Sequence, residues 1–144
     1  MTATGRDEVA LTFPGYRGDG IELTVLSRDG ATGDRPAIYH LHAGAGILGD
    51  RNLGVEVLAD WVQSYDVVVV TVEYRLAPEF PDPYPVEDSY AGLVWTAEHA
   101  EELGVDPARI LLEGTATAAD WQRRWRSWPE TAAGHRSSAS SSCT

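Results

Sequence analysis

The sequence predicts an α/β domain built on a mostly parallel sheet with helices on both faces. Two observations carry that expectation: runs of consecutive β-branched residues, above all DVVVVTV at 66–72, and stretches of helical spacing between them. A strand that is apolar on both sides must be covered on both sides, so helices alternating with such strands imply two helical layers. At 144 residues the chain is long enough for one core and nothing in its size asks for two.

In chain order, VALTF (9–13) and IELTVLS (21–27) read as two short strands joined by the turn PGYRGDG, and GATGD separates them from the third. That third strand is AIYHLH (37–42), running into a glycine-rich segment. NLGVEVLADWVQS (52–64) spaces Val55, Leu58 and Val62 as one helical face. DVVVVTV then reads as a central strand. VEDSYAGLVWTAEHAEELG (86–104) spaces Tyr90, Leu93, Val94 and Ala97 helically, with Gly104 suited to a left-handed cap. RILLEG (109–114) has the character of a further buried strand. The last nine residues, RSSASSSCT, are of low complexity and expected to be disordered.

Composition narrows the function. The apolar fraction of 43% is that of a globular chain, and no apolar run approaches the roughly 18 residues a membrane span needs. The first ten residues, MTATGRDEVA, have neither a basic nor an apolar leader segment, so a non-exported, cytoplasmic protein is expected. A formal charge of −11 argues against nucleic-acid or anionic-membrane partners. The single cysteine, Cys143, excludes an intrachain disulfide and a cysteine-rich zinc site. The charge is uneven: residues 1–119 hold 7 Arg against 20 acids, whereas residues 120–144 hold 4 Arg against 2. All eleven basic residues are arginine, a bias expected of G- and C-rich codons.

Four features appear in a fixed order: HAGAGILG after a strand, YRLAPEFPDPYPVED after the next, GVDPARILLEG leading into a third, then a sharp turn. Together, over about residues 20–115, they resemble the hormone-sensitive-lipase-like esterases and lipases of the α/β-hydrolase fold. The resemblance implies the N-terminal part of that fold, interrupted after the strand that carries the nucleophile. It implies carboxylic-ester hydrolysis by a serine–histidine–acid triad, a small-molecule ester as substrate, and no metal or cofactor. The family's His-Gly-Gly-Gly oxyanion loop falls on His42, Ala43, Gly44 and Ala45, with Gly46 next and Gly49 closing the loop. Glycines there let main-chain N–H groups approach a developing oxyanion, and alanine keeps the N–H provided φ stays negative. His42 is expected to orient this loop and not to act as the triad base. A plain glycine-rich strand-to-helix turn is the other reading of the segment. Tyr74, Arg75, Pro78, Glu79 and Asp88 match the family's structural block, a proline-rich crossover that supports the loop and docks the next helix. Glu87 and Asp88, although paired carboxylates, are expected to complement the helix dipole in a first turn rather than to carry acid/base chemistry.

The turn itself departs from the family. A nucleophile elbow is Gly-x-Ser-x-Gly, and this chain has Gly114, Thr115, Ala116, Thr117 and Ala118 there. Alanine has no oxygen to attack a carbonyl, and both threonines are one residue out of place. Of the expected downstream acid and base, only Asp120 and His135 are present. The segment DWQRRWRSWPETAAGHRSSASSSCT is not the apolar helix the resemblance calls for, although Trp121, Trp125 and Trp128 with the arginines between them could line a basic amphipathic helix.

A lost nucleotide explains the change. Back-translated with G- and C-rich codons and read one base out of phase, the segment admits LAAAVALLARDRGGPPLVGQLLLY. Trp has one codon, so Trp121 followed by Gln122 forces alanine in that frame. The same frame admits serine across codons 115 and 116. The domain expectation is therefore a partial α/β-hydrolase domain over 1–119 and a non-homologous, out-of-frame, disordered tail over 120–144. The functional expectation is an esterase-like chain that is catalytically inactive, with a non-catalytic binding or interaction protein of the same fold as the alternative.

Overall fold

The computed structural model describes residues 6–44, 46–114, 121 and 123. Strands β1 (Arg6–Pro14) and β2 (Gly20–Arg28) form an antiparallel hairpin around a single 3₁₀ turn, Tyr16–Gly18. They are followed by β3 (Arg35–Leu41), α1 (Val55–Tyr65), β4 (Val68–Val72), α2 (Tyr84–Glu98), α3 (Ala100–Leu103) and β5 (Val105–Gly114). The sheet order is β1-β2-β4-β3-β5. β4, β3 and β5 run parallel, and β2 joins β4 antiparallel, so a parallel core is extended by a hairpin.

That order places the helices. The crossover β3–α1–β4 moves one strand in one direction, and β4–α2–α3–β5 moves back across β3. Both crossovers share one hand, so reversing direction puts α1 and α2 on opposite faces. Leu58 and Val62 of α1 meet Leu26, Ile38 and Val69 on one side. On the other, Tyr90 and Leu93 of α2 meet Phe13, Tyr39, Val70 and Ile110. All five residues of β4 are buried, which is what its unbroken β-branched run requires.

The elements match the sequence reading with shifted ends, each for a local reason. Asp66 does not begin β4: it adopts φ 52 as the left-handed C-cap of α1 and pairs with Arg28 (3.3 Å) and Arg35 (3.5 Å). Aspartate is among the few residues that accept this conformation cheaply. The predicted helix 86–104 is two helices. At His99 the backbone N–H and ring Nδ1 both reach the Trp95 carbonyl (3.0 and 2.8 Å), and the side chain competes with the helical ladder. Gly104 closes α3 at φ 68, as its position suggested.

Candidate active site

β3 and β4 end side by side with their following helices on opposite faces, so their carboxyl ends open into the crevice where ligands of α/β sheets bind. The segment after β3 turns back over it. Gly44 has φ 128, and a Cβ there would fall 2.0 Å from the Leu48 carbonyl oxygen, so glycine is obligatory. The Ile47 and Leu48 N–H groups donate to Gly44 O at 3.0 and 3.1 Å. Ala43 lies outside the set of positive-φ residues, so alanine stands where it is tolerated and glycine where it is needed. Ala45 lies outside the described residues.

His42 secures the start of this loop. It is 1% exposed, and its ring stacks on Tyr74 with centroids 4.2 Å apart. Its Nδ1–H donates to Ala43 O at 2.9 Å, and the Tyr74 hydroxyl donates to His42 O at 2.6 Å. Burial lowers the His42 pKa and raises that of Tyr74, so both are neutral tethers at pH 7. Among the described residues His42 Nε2 has no hydrogen-bond partner.

The 73–88 crossover holds the loop from below. The Ala77 N–H donates to Gly46 O at 2.8 Å, and the peptide bonds Ala77–Pro78 and Asp82–Pro83 are cis. Pro78 and Glu79 lie on its outer side, Glu79 exposed. Asp88 corrects the sequence reading: Glu87 is the first-turn acid of α2, whereas Asp88 lies one residue further in, fully buried. Its Oδ2 accepts from Arg75 Nε (2.8 Å) and Arg75 N (3.1 Å), and its Oδ1 from Arg75 Nη2 (2.8 Å) and Tyr16 N (2.9 Å). The Arg75 fork also reaches Asp19 (2.7 Å) and lies over the rings of Tyr84 and Phe80. Hydrogen bonding to Asp88 raises the Arg75 pKa further. A buried carboxylate with four donors is a structural anchor, not a dipole complement.

Four residues escaped the sequence reading. His40 of β3 and Glu113 of β5 stand opposite one another in register, with Nδ1 against Glu113 Oε2 and Nε2 2.9 Å from Leu53 O. Only strand pairing brings them together. Trp121, assigned no place in the core, is 7% exposed and meets Tyr74 edge-on with centroids 4.9 Å apart. Gly15 has no room for a Cβ, which would sit 2.3 Å from Ile21 and 2.8 Å from Asp88.

A cavity of about 400 Å³ lies beside the loop, lined by His40, Ala43, Leu53, Trp61, Glu113 and Gly114. Gly114 ends β5 here. Thr115, Ala116, Thr117, Ala118, Asp120 and His135 lie outside the described residues. Among the described residues no group of three or more His, Cys, Asp or Glu side chains is arranged to hold a metal ion, and no helix is long and apolar enough to cross a membrane.

This fold and this loop define a class, and comparison with known proteins agrees: residues 38–117 match the alpha/beta hydrolase fold family, to which the chain belongs. Esterase LipI of Mycobacterium tuberculosis is 36% identical over 81 residues, 56% of this chain and 25% of that protein. Carboxylic ester hydrolase LipN of the same organism is 35% identical over 114 residues, 69% of this chain and 30% of its own length. Among solved structures, bacterial heroin esterase superposes with a TM-score of 0.79 at 32% identity, covering 88% of this chain and 41% of the esterase. The thermostable carboxylesterase EstE1, cloned from a metagenomic library, gives 0.76 at 31% identity, covering 90% and 43%. The chain thus spans less than half the length of these relatives.

Proposed function

We propose that the chain is the N-terminal part of a serine-dependent carboxylic-ester hydrolase and that, with Ala116 at the nucleophile position, it does not turn over esters. The observation that carries this reading is the contrast at the end of β5. On one side the loop that begins His42-Ala43-Gly44 keeps glycine where φ demands it and is tethered through Tyr74, which supports the reading of it as a loop of backbone donors for an oxyanion. On the other, the elbow sequence lacks the oxygen that would attack the acyl carbon. In the intact reaction the serine adds to the ester carbonyl, a histidine takes its proton, and an acid orients that histidine. None of these three groups stands in a family position in this sequence.

The loss of one nucleotide near codons 115–117 accounts both for Ala116 and for the arginine- and tryptophan-rich segment after it. Determining the nucleotide sequence from codon 113 onward tests this. The expected result is that one added base opens a frame encoding Gly-x-Ser-x-Gly, an apolar helix and a later Asp and His; immediate stop codons in that frame would refute it. The purified chain should leave p-nitrophenyl butyrate unhydrolysed and take no fluorophosphonate label. The burial of Trp121 against Tyr74 favours a second reading, a retained non-catalytic binding protein. An intact gene whose codons exclude the shifted helix would move that reading to first place.

A further inference from the structure

On the α1 side of the sheet Ile38, Val69 and Leu111 share one rung of β3, β4 and β5. Two residues further along, where side chains return to the same face, the rung is His40, Thr71 and Glu113. Thr71 and His40 are buried, at 1% and 6% exposure, and a buried polar group costs stability unless it finds a partner. Both find theirs on one short segment. The Thr71 hydroxyl donates to Arg51 O, and His40 Nε2 meets Leu53 O at 2.9 Å. These carbonyls belong to the stretch that leads from the loop after β3 into α1. Leu53 in turn touches the loop. Gly49 has φ 92, and a Cβ there would stand 3.0 Å from Leu53 Cδ2 and 2.7 Å from both Ala43 O and His42 Nδ1. Leu53 therefore packs where the loop closes on its own start.

The hydrogen count on His40 makes this more than packing. Its Nδ1 faces the Glu113 carboxylate and its Nε2 faces a carbonyl, and both are acceptors. A neutral imidazole has one N–H and serves only one of them, leaving the other nitrogen to turn a lone pair on an oxygen. Both hydrogen bonds form together only when the His40–Glu113 pair carries one further proton, and imidazole is the more basic partner. The other neighbours do not compete for it. Val57, Leu58 and Trp61 of α1 line the adjoining cavity without charge. Arg51 is engaged by Glu22 and Glu73, Asp50 accepts from Asn52 N, and the neutral His42 is stacked on Tyr74. We propose that His40 is a positioning residue, a doubly donating clamp that fixes Leu53, at the end of the loop, to Glu113 on the strand that leads into the nucleophile turn. The proposal rests on reading these two segments as oxyanion loop and elbow. Backbone donors and a nucleophile must hold a fixed separation to act on one carbonyl, and this rung of side chains joins the segments that carry them.

Heteronuclear NMR of the 144-residue chain tests the clamp, together with hydrogen exchange. The His40 ring, assigned by its loss in His40→Gln, should carry hydrogen on both nitrogens at neutral pH. Glu113→Gln removes the charge that calls for the second hydrogen, so the ring should then carry one. The amides of Ile47, Leu48 and Leu53, bonded to Gly44 O and Asp50 O, should exchange roughly tenfold faster in that variant, as loss of a charge-assisted hydrogen bond implies. Thr71→Val should loosen the same amides. If His40→Gln does not fold, Glu113→Gln decides alone, because it leaves the ring in place to respond. A parent ring with hydrogen on one nitrogen overturns the proposal. So does exchange at 47–53 that ignores Glu113→Gln, or that quickens no more there than in the β1–β2 hairpin, the mark of a general loss of stability. None of these readouts needs turnover: a chain that hydrolyses no ester leaves the clamp standing, and a singly protonated ring leaves the hydrolase reading standing.

Discussion

The crossover 73–88 and the outer side of α1 with β5 carry the same kinds of residues to opposite ends. In the crossover, charged and aromatic groups are over-determined: Arg75 has Asp88, Asp19, the Tyr16 carbonyl and two aromatic rings. Across the sheet, Val57 (60% exposed), Trp61 (37%) and Tyr65 (71%) project from α1 at i, i+4 and i+8, on the side of β5, the last strand in the sheet order among the described residues. Those partners of Arg75 all lie within residues 16–88. The α1 stripe has no such cover among the described residues, and the relatives, more than twice as long as this chain, have further polypeptide with which to cover it. A partial fold can be finished on one face and open on the other.

The largest effect expected from breaking this contrast is at Asp88. Asp88→Asn leaves the Arg75 guanidinium inside a site built for a carboxylate, and breaking such a buried pair costs about 3–5 kcal/mol. Denaturant unfolding should show loss of the cooperative transition. Next comes Gly44→Ala, which forces a Cβ into the Leu48 carbonyl at positive φ. A cost of about 1–3 kcal/mol is expected, whereas Ala43→Gly should change the unfolding midpoint far less.

His42 yields a smaller, pH-dependent effect. Burial holds its pKa below the usual 6.5, so below that pH the unfolded chain binds a proton that the folded chain refuses. Stability falls as the pH drops from about 7 towards 5, with at most about 1.4 kcal/mol lost per unit. His42→Asn should flatten the slope of unfolding free energy against pH over that window. Smallest is Trp61→Gln on the open face, expected within about 0.5 kcal/mol of the parent. A large loss there would show that the α1 stripe is already covered within the monomer.

Much of this was legible in the sequence. The five strands and the two main helices follow from β-branched runs and helical spacing, and the demand for two covering layers follows from the apolar character of both faces of 68–72. Gly104 as a left-handed cap and Gly44 as the glycine retained in the loop were readable because conformational freedom is a property of the residue itself. The burial of Asp88 was not readable. A carboxylate near a helix start is ordinarily solvated, and only the return of Tyr16 and Arg75 to the same point, from 72 and 13 residues away, supplies its donors.

What the sequence by itself determined is local: where the chain must be extended or helical, where it can turn, and that Ala116 has no hydroxyl to offer. What only the tertiary structure decided is adjacency. That β3 lies between β4 and β5 is a property of chain crossing, and from it come the His40–Glu113 contact and the placing of Gly114 beside Ala43. Periodicity records which face of an element seeks cover. It cannot record which distant residue provides that cover, because burial is set by the packing of elements that share no sequence register.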